Sequence, residues 1–313
     1  MKVNYFAHYL VLDSTESKYS FNLREFIRNF DRHAPAAFKK NLVTEFGEKL
    51  FIFYVSDGVY LFVMTKSSEI IKAINENQMS QSDIYDKLSA DESLGFASYI
   101  LPRKDYFGIG STFYGPKITK FTQLINCILK NLDVLGINFK VYPLTSSATT
   151  AEVLKMPFVG RATFEVGMNN GIFQCLKEYF GDKIETDTDA IEIIIKPKKR
   201  KDINASFQAI ASTIKDEDLK KFVVKAKHEF GEAATDFYIV GSGAVSDIIS
   251  ISQNEESIAA TMNKKDIAND VVIDKVRDFI NEEKIKQNSD DVTSATMYER
   301  DNSWNAFFLS HEN

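Results

Sequence analysis

Ile191-Glu192-Ile193-Ile194-Ile195 runs without a spacer into Lys196-Pro197-Lys198-Lys199-Arg200-Lys201. A β-branched run of that kind suits a strand anchored in a sheet. Proline at 197 cannot donate to a continuing ladder, so the strand ends there. Any fold of this chain must therefore terminate a strand in five cations within six residues, and hold them in water or against an anion. Upstream, Val159–Val166 reads as a partner strand and Phe173 to Phe180 as a helix. The stretch 158–202 predicts strand, helix, strand and basic knot.

The rest of the chain predicts an α+β protein of two α/β domains with mixed or antiparallel sheets, followed by a helical acidic tail. At 313 residues the chain exceeds the usual size of one core. The boundaries fall at 1–145, 151–250 and 251–313, with the small polar run Thr145 to Thr150 as the linker. Leu50–Val55 and Val59–Val63 flank Ser56-Asp57-Gly58, a hairpin signal. Phe121, Leu124, Ile125, Ile128, Leu129 and Leu132 fall on one stripe of a helix over 118–132. Helices are also predicted from Asn22, after Ser67 or Ser68 through Ile70, Ile71 and Ile74, from Ser82-Asp83 and from Asp202. Two more follow over 216–230, with Leu219, Phe222, Val223 and Ala226 inward, and over 266–280. After Lys286 the chain reads as loose apart from Trp304, Phe307 and Phe308.

Two cysteines, Cys127 and Cys175, sit in apolar patterns and read as buried thiols of a reducing compartment. The N-terminus lacks the apolar segment of a signal peptide, and no apolar run approaches the ~18 residues of a membrane span. These features lead to the expectation of a cytoplasmic protein.

The net charge of −6 resides in residues 251–313, which hold seven Lys/Arg and thirteen Asp/Glu, leaving 1–250 neutral. What matters for nucleic-acid binding is whether the cations cluster on one face. The knot Lys196, Lys198, Lys199, Arg200 and Lys201 supplies such a cluster, and its chemistry is displacement of counterions from phosphates without sequence readout. The same knot would equally serve as a solvated strand end. Arg161, after Gly160, points either at a phosphate or at one of the acids Asp182, Glu185, Asp187 and Asp189. Arg103-Lys104, Lys117, Lys120 and Lys39-Lys40 are weaker candidates for extending a basic face.

Catalytic chemistry finds little to stand on. The four histidines match no metal-ligand spacing, and no Gly-x-Ser-x-Gly string or P-loop occurs. Gly108-Ile109-Gly110 lacks the third glycine of a dinucleotide fingerprint. The acids at 182–192 would suit a metal-dependent nuclease only if carboxylates converged from separate elements. The expectation is a non-enzymatic protein without metal, cofactor or catalytic residues. The alternatives are a nuclease-type toxin and a protein-interaction module that does not bind DNA.

Several segments carry a resemblance. Leu88-Ser89-Ala90-Asp91-Glu92-Ser93-Leu94-Gly95-Phe96, Phe113-Tyr114-Gly115-Pro116, Phe158-Val159-Gly160-Arg161-Ala162-Thr163, Ile193-Ile194-Ile195-Lys196-Pro197-Lys198 and Lys225-Ala226-Lys227-His228-Glu229-Phe230-Gly231 occur in that order. Together they resemble the RexA family of phage-exclusion proteins over roughly residues 4–240, leaving 251–313 unmatched. The resemblance implies a fold like that of the recombination-associated RdgC proteins, with a mobile second domain. It also implies a prophage-borne, cytoplasmic homodimer of an abortive-infection system that binds double-stranded DNA without sequence preference. The implied trigger is a phage protein–DNA complex, and the implied output is a RexB-like membrane ion channel.

Overall fold

The computed structural model describes residues 1–44, 47–65, 72–75, 80–84, 88–89, 92–167, 178, 190–199, 201–213, 219–227, 234–241, 243–251, 254–287 and 290–311. It divides into two compact units, Met1–Leu144 with Ile249–Asn313, and Thr145–Ile248. The class is α+β, with antiparallel sheets.

The first unit is built on β1 (Lys2–Leu12), β2 (Lys18–Tyr19), β3 (Leu50–Ser56), β4 (Val59–Thr65), β7 (Gly95–Pro102), β8 (Tyr106–Ser111) and β9 (Ile137–Pro143). Pairing gives the order β9–β1–β8–β7–β4–β3, with β2 against the end of β1. The β3–β4 hairpin closes at Asp57 and Gly58, whose φ of 50° and 76° are those of a primed turn. Two shorter strands, β5 (Lys72–Asn75) and β6 (Ser80–Asp83), pair with each other. There Ile74 and Ser82-Asp83 lie in strands rather than at the expected helices; Ile70, Ile71 and residues 85–87 of the second helix lie outside the described residues.

Helices cover both faces of this sheet. On one face, α1 (Leu23–His33) is capped by Asn22 and buries Leu23, Phe26, Ile27 and Phe30. A short helix, α2 (Ala36–Lys40), follows it. The α3 helix (Ile118–Asn131) buries the predicted stripe Phe121, Leu124, Ile125, Ile128 and Leu129. At the other face Gly108 has no Cβ to obstruct Tyr5, Val3 and Met262, which lie 3.1–3.4 Å from where one would be.

Residues 249–313 belong to this unit and finish its core. The segment predicted as one helix over 266–280 is broken at Ala268–Asn269, because Asn269 caps a new start by accepting from Val272 N–H. Residues 290–311, expected to be loose, instead fold into helical segments, the last of them the helix Asp301–His311. Trp304 there is fully buried against Phe26, Phe30 and Tyr298, and its indole N–H donates to the Tyr298 carbonyl at 2.7 Å. Arg103 reaches Asp266 at 2.6 Å and Asn263 at 2.6 Å. Lys18 pairs with Glu283, and Tyr19 donates to Asp291 at 2.7 Å. The Phe113–Pro116 turn is set by Gly115, where a Cβ would lie 2.3 Å from the Ala97 carbonyl. The Pro116 carbonyl accepts from Ser98 and Ser111.

The second unit holds β10 (Thr145–Ser146), α4 (Thr150–Leu154), β11 (Phe158–Gly167), β12 (Ala190–Ile195), α5 (Asn204–Thr213), β13 (Leu219–Lys227), β14 (Thr235–Val240) and β15 (Gly243–Ala244). Its main sheet runs β12–β11–β13–β14, and β10 pairs with β15 so that the entry and exit of the unit lie side by side. A helix over 216–230 is replaced by β13. Pairing with β11 and β14 on both edges favours alternation over the helical stripe, so Phe222, Val224 and Ala226 go inward together. The helix expected over 173–180, Cys175 with it, lies outside the described residues except for Glu178.

Candidate nucleic-acid interface

The two faces of the second unit's sheet differ in chemistry. Ala162, Phe164 and Val166 of β11 and Phe222, Val224 and Ala226 of β13 form one face, packed on Phe207 and Ile203 and on Val153 of α4. The period of two then sends Arg161, Thr163 and Glu165 to the other face, beside Lys225, Val223 and Lys221.

Register places cations in a row on that face. Arg161 pairs with Lys225, and Lys225 with Asp236 of β14. Ile195 of β12 pairs with Ala162, so Lys196, one residue later, comes level with Arg161. Three adjacent strands thus bring Lys196, Arg161 and Lys225 into line, with strands about 4.8 Å apart. Near the end of β13, the Lys227 ammonium sits over the Phe158 ring at 5.5 Å. Gly160 lies where the β11–β13 register slips, and a Cβ there would lie 2.8 Å from the Phe158 ring. That bulge sets the aim of Arg161.

Beyond Lys196 the knot turns back on itself. Lys201 N–H donates to the Lys198 carbonyl at 3.0 Å, and Ile203 N–H to the Val159 carbonyl at 2.9 Å. Asp202 then accepts from Asn204 N–H at 3.0 Å, opening α5. Lys196, Lys198, Lys199 and Lys201 are all exposed; Arg200 lies outside the described residues. The bond from Ile203 to Val159 ties the segment between β12 and α5 to β11, two residues before Arg161.

Acids limit the patch. The Arg161 guanidinium lies 3.6 Å from the Asp236 carboxylate. Further along the sheet Glu165 stands between Glu192 and Lys221. The four acids Asp182, Glu185, Asp187 and Asp189, weighed as partners for Arg161 and as nuclease ligands, lie outside the described residues.

Four candidate cations of the first unit are engaged at home, while Lys40 and Lys104 are exposed. Arg103 is held by Asp266, Lys120 by Glu48 at 2.6 Å, Lys117 by the Thr112 carbonyl at 2.5 Å, and Lys39 by Asp31 at 3.8 Å. Lys225 and Lys227 went unnoticed as site residues because β13 was read at a helical period. The signal was present, since Lys221, Lys225 and Lys227 occupy odd positions against Phe222, Val224 and Ala226.

The chain as a whole is similar to known proteins. The family model RexA, described as intracellular sensor of Lambda phage and Abi component, matches residues 1–234. Protein rexA of Escherichia phage lambda is 28% identical over 262 residues, spanning 82% of this chain and 90% of that protein. Protein rexA of Enterobacteria phage 434 matches to the same extent.

Proposed function

Because the chain belongs to the RexA family, whose members are components of abortive infection, we propose that it is the DNA-binding sensor of such a phage-exclusion system. It binds double-stranded DNA through phosphates and reads no sequence. Lys196, Lys198, Lys199, Arg200 and Lys201 make the principal contacts, and Arg161, Lys225 and Lys227 extend them across the sheet. The chain acts as a cytoplasmic, non-enzymatic homodimer. A phage protein–DNA complex is its trigger, and a RexB-like membrane channel receives its signal. Among the described residues no helix is long and apolar enough to cross a membrane.

The observation supporting this reading is the pairing of Arg161 with Lys225 on neighbouring strands, with Lys196 immediately past the end of β12 and an exposed basic segment beyond it. Cations in that arrangement neutralise several phosphates together and release their counterions. Base readout would need a helix or ribbon shaped for a groove with side chains aimed at base edges; a row of ammonium groups and a guanidinium on a sheet face meets the backbone instead.

The test is fluorescence anisotropy with two unrelated duplexes across a salt series. Equal affinities that fall steeply with salt support the reading, and so does uniform weakening with a flatter slope in K198E/K199E/R200E. Absence of binding at low salt would overturn it. Degradation of the duplex in magnesium would favour the nuclease alternative.

A further inference from the structure

Among the described residues, the outer edge of β9 is only partly covered, and what covers it is a side chain. Asn126 of α3 accepts from Phe139 N–H at 2.7 Å and donates to the Phe139 carbonyl at 3.0 Å. One side-chain amide thus satisfies both backbone groups, as a peptide unit of a neighbouring strand would. Because both groups of Phe139 point away from β1, Leu10 and Phe139 are a non-hydrogen-bonded pair. The alternation of an antiparallel ladder makes His8–Val141 and Leu12–Ile137 pairs of the same kind. Two observations agree, since His8 N–H goes to the Asp105 carbonyl and Leu12 N–H to the Ser17 carbonyl, not to β9. Ile137 and Val141 therefore direct their N–H and C=O groups outward, on either side of Asn126.

These groups open on a cleft of about 680 Å3 between α3, Val43–Thr44 and the start of β9, within the about 300–1,000 Å3 range of occupied clefts. The cleft has Val134, Ile137 and Val141 on its apolar side, Gln123 and Asn126 on α3, and Lys130 at an exposed position. The Gln123 Oε1 atom is buried and has no hydrogen-bond partner among the described residues. An acceptor left in that state costs free energy unless a donor arrives.

We infer that this cleft is a docking site for an extended peptide segment of a partner protein, which adds a strand to the β9 edge. The peptide pairs with Val141 and Ile137 and takes over the Phe139 groups from Asn126, one amide replacing another. Asn126 holds the place of the strand in the unbound protein. Open backbone groups at residues four apart span about 13 Å, which fits a strand and exceeds a single polar ligand head. Apolar side chains at alternate positions of the peptide meet Val134 and the β9 side of the cleft. An acidic residue meets Lys130, and a backbone or side-chain N–H reaches Gln123. Strand addition of this kind draws affinity from main-chain bonds and specificity from alternate side chains.

The test uses the full chain as bait for a displayed library of random nonapeptides, with the selected sequence synthesised as a labelled probe. The expected probe alternates apolar and polar residues, carries an acid, and slows hydrogen exchange at Ile137 and Val141. Val141→Pro removes only an outward N–H, so it leaves the ladder intact and is expected to weaken the probe at least ten-fold. Asn126→Ala, which frees the edge, is expected to tighten it several-fold. If Val141→Pro does not fold, Lys130→Glu at an exposed position decides, with a five-fold loss expected. A library that enriches nothing, or a probe indifferent to these substitutions, would overturn the assignment.

Discussion

Arg161 and Asp236 face each other at 3.6 Å although a whole strand, β13, lies between theirs. The ion pair therefore spans the sheet above Lys225. It occupies the cation at the centre of the row assigned to phosphate binding.

Asp236→Asn should release that guanidinium. The pair is about a third exposed on each side, and such pairs contribute about 0.2–1 kcal/mol. The expected gain in DNA affinity is therefore up to about five-fold, alike for unrelated sequences, with a steeper salt slope. Anisotropy titrations at several salt concentrations measure both.

Lys225→Ala with Lys227→Ala should weaken binding uniformly and reduce the salt slope by about one for each phosphate no longer neutralised. Folding should survive, since both side chains lie on the face of β13 opposite Phe222, Val224 and Ala226. Circular dichroism alongside the titration separates weaker DNA binding from unfolding.

His8 gives the first unit an acid-sensitive core. Its ring is enclosed by Phe21, Phe107 and Phe139. Burial pushes its pKa from 6.5 down to about 3, and the Arg103 backbone opposes this only in part. The folded unit therefore keeps His8 neutral while the unfolded chain takes up a proton below pH 6.5. Stability from this group is complete above pH 6.5 and is lost as pH falls towards 3, at up to about 1.4 kcal/mol per pH unit. His8→Leu should flatten that slope in denaturant titrations between pH 6 and 4.

Trp304→Ala should cost about 3–5 kcal/mol, because it empties a site enclosed by Phe26, Phe30, Tyr298 and Phe308. It also leaves the Tyr298 carbonyl without its donor. A lower urea midpoint with helical content retained below the transition checks this.

Legibility followed the range of the interactions. The hairpin at Asp57-Gly58 and the stripe of α3 were readable because neighbouring residues dictate them. Strand β13 was not, because Leu219, Phe222, Val223 and Ala226 satisfy a helical spacing. Two flanking strands, met only in the folded chain, decide against it. The basic turn was legible as composition. Its alignment with Arg161 and Lys225 was not, since register between strands far apart in sequence is written in no single segment. The aromatic finish at Trp304, Phe307 and Phe308 stood out, but its partners in α1 lie more than 270 residues away.

The first unit is completed by chain that follows the second unit in sequence, which gives synthesis on the ribosome an order of events. When Leu144 has been made, Phe26 and Phe30 are present, but Tyr298, Trp304 and Phe308 are not, and 160 residues separate Leu144 from Trp304. At about 5–20 residues per second that interval lasts roughly 10–30 s. The second unit has time to fold as a closed excursion while its host waits with aromatic surface uncovered. A ribosome stalled between the two segments would therefore leave a fragment whose α1 aromatics, Phe26 and Phe30, lack the Trp304 that buries them, rather than a smaller working protein.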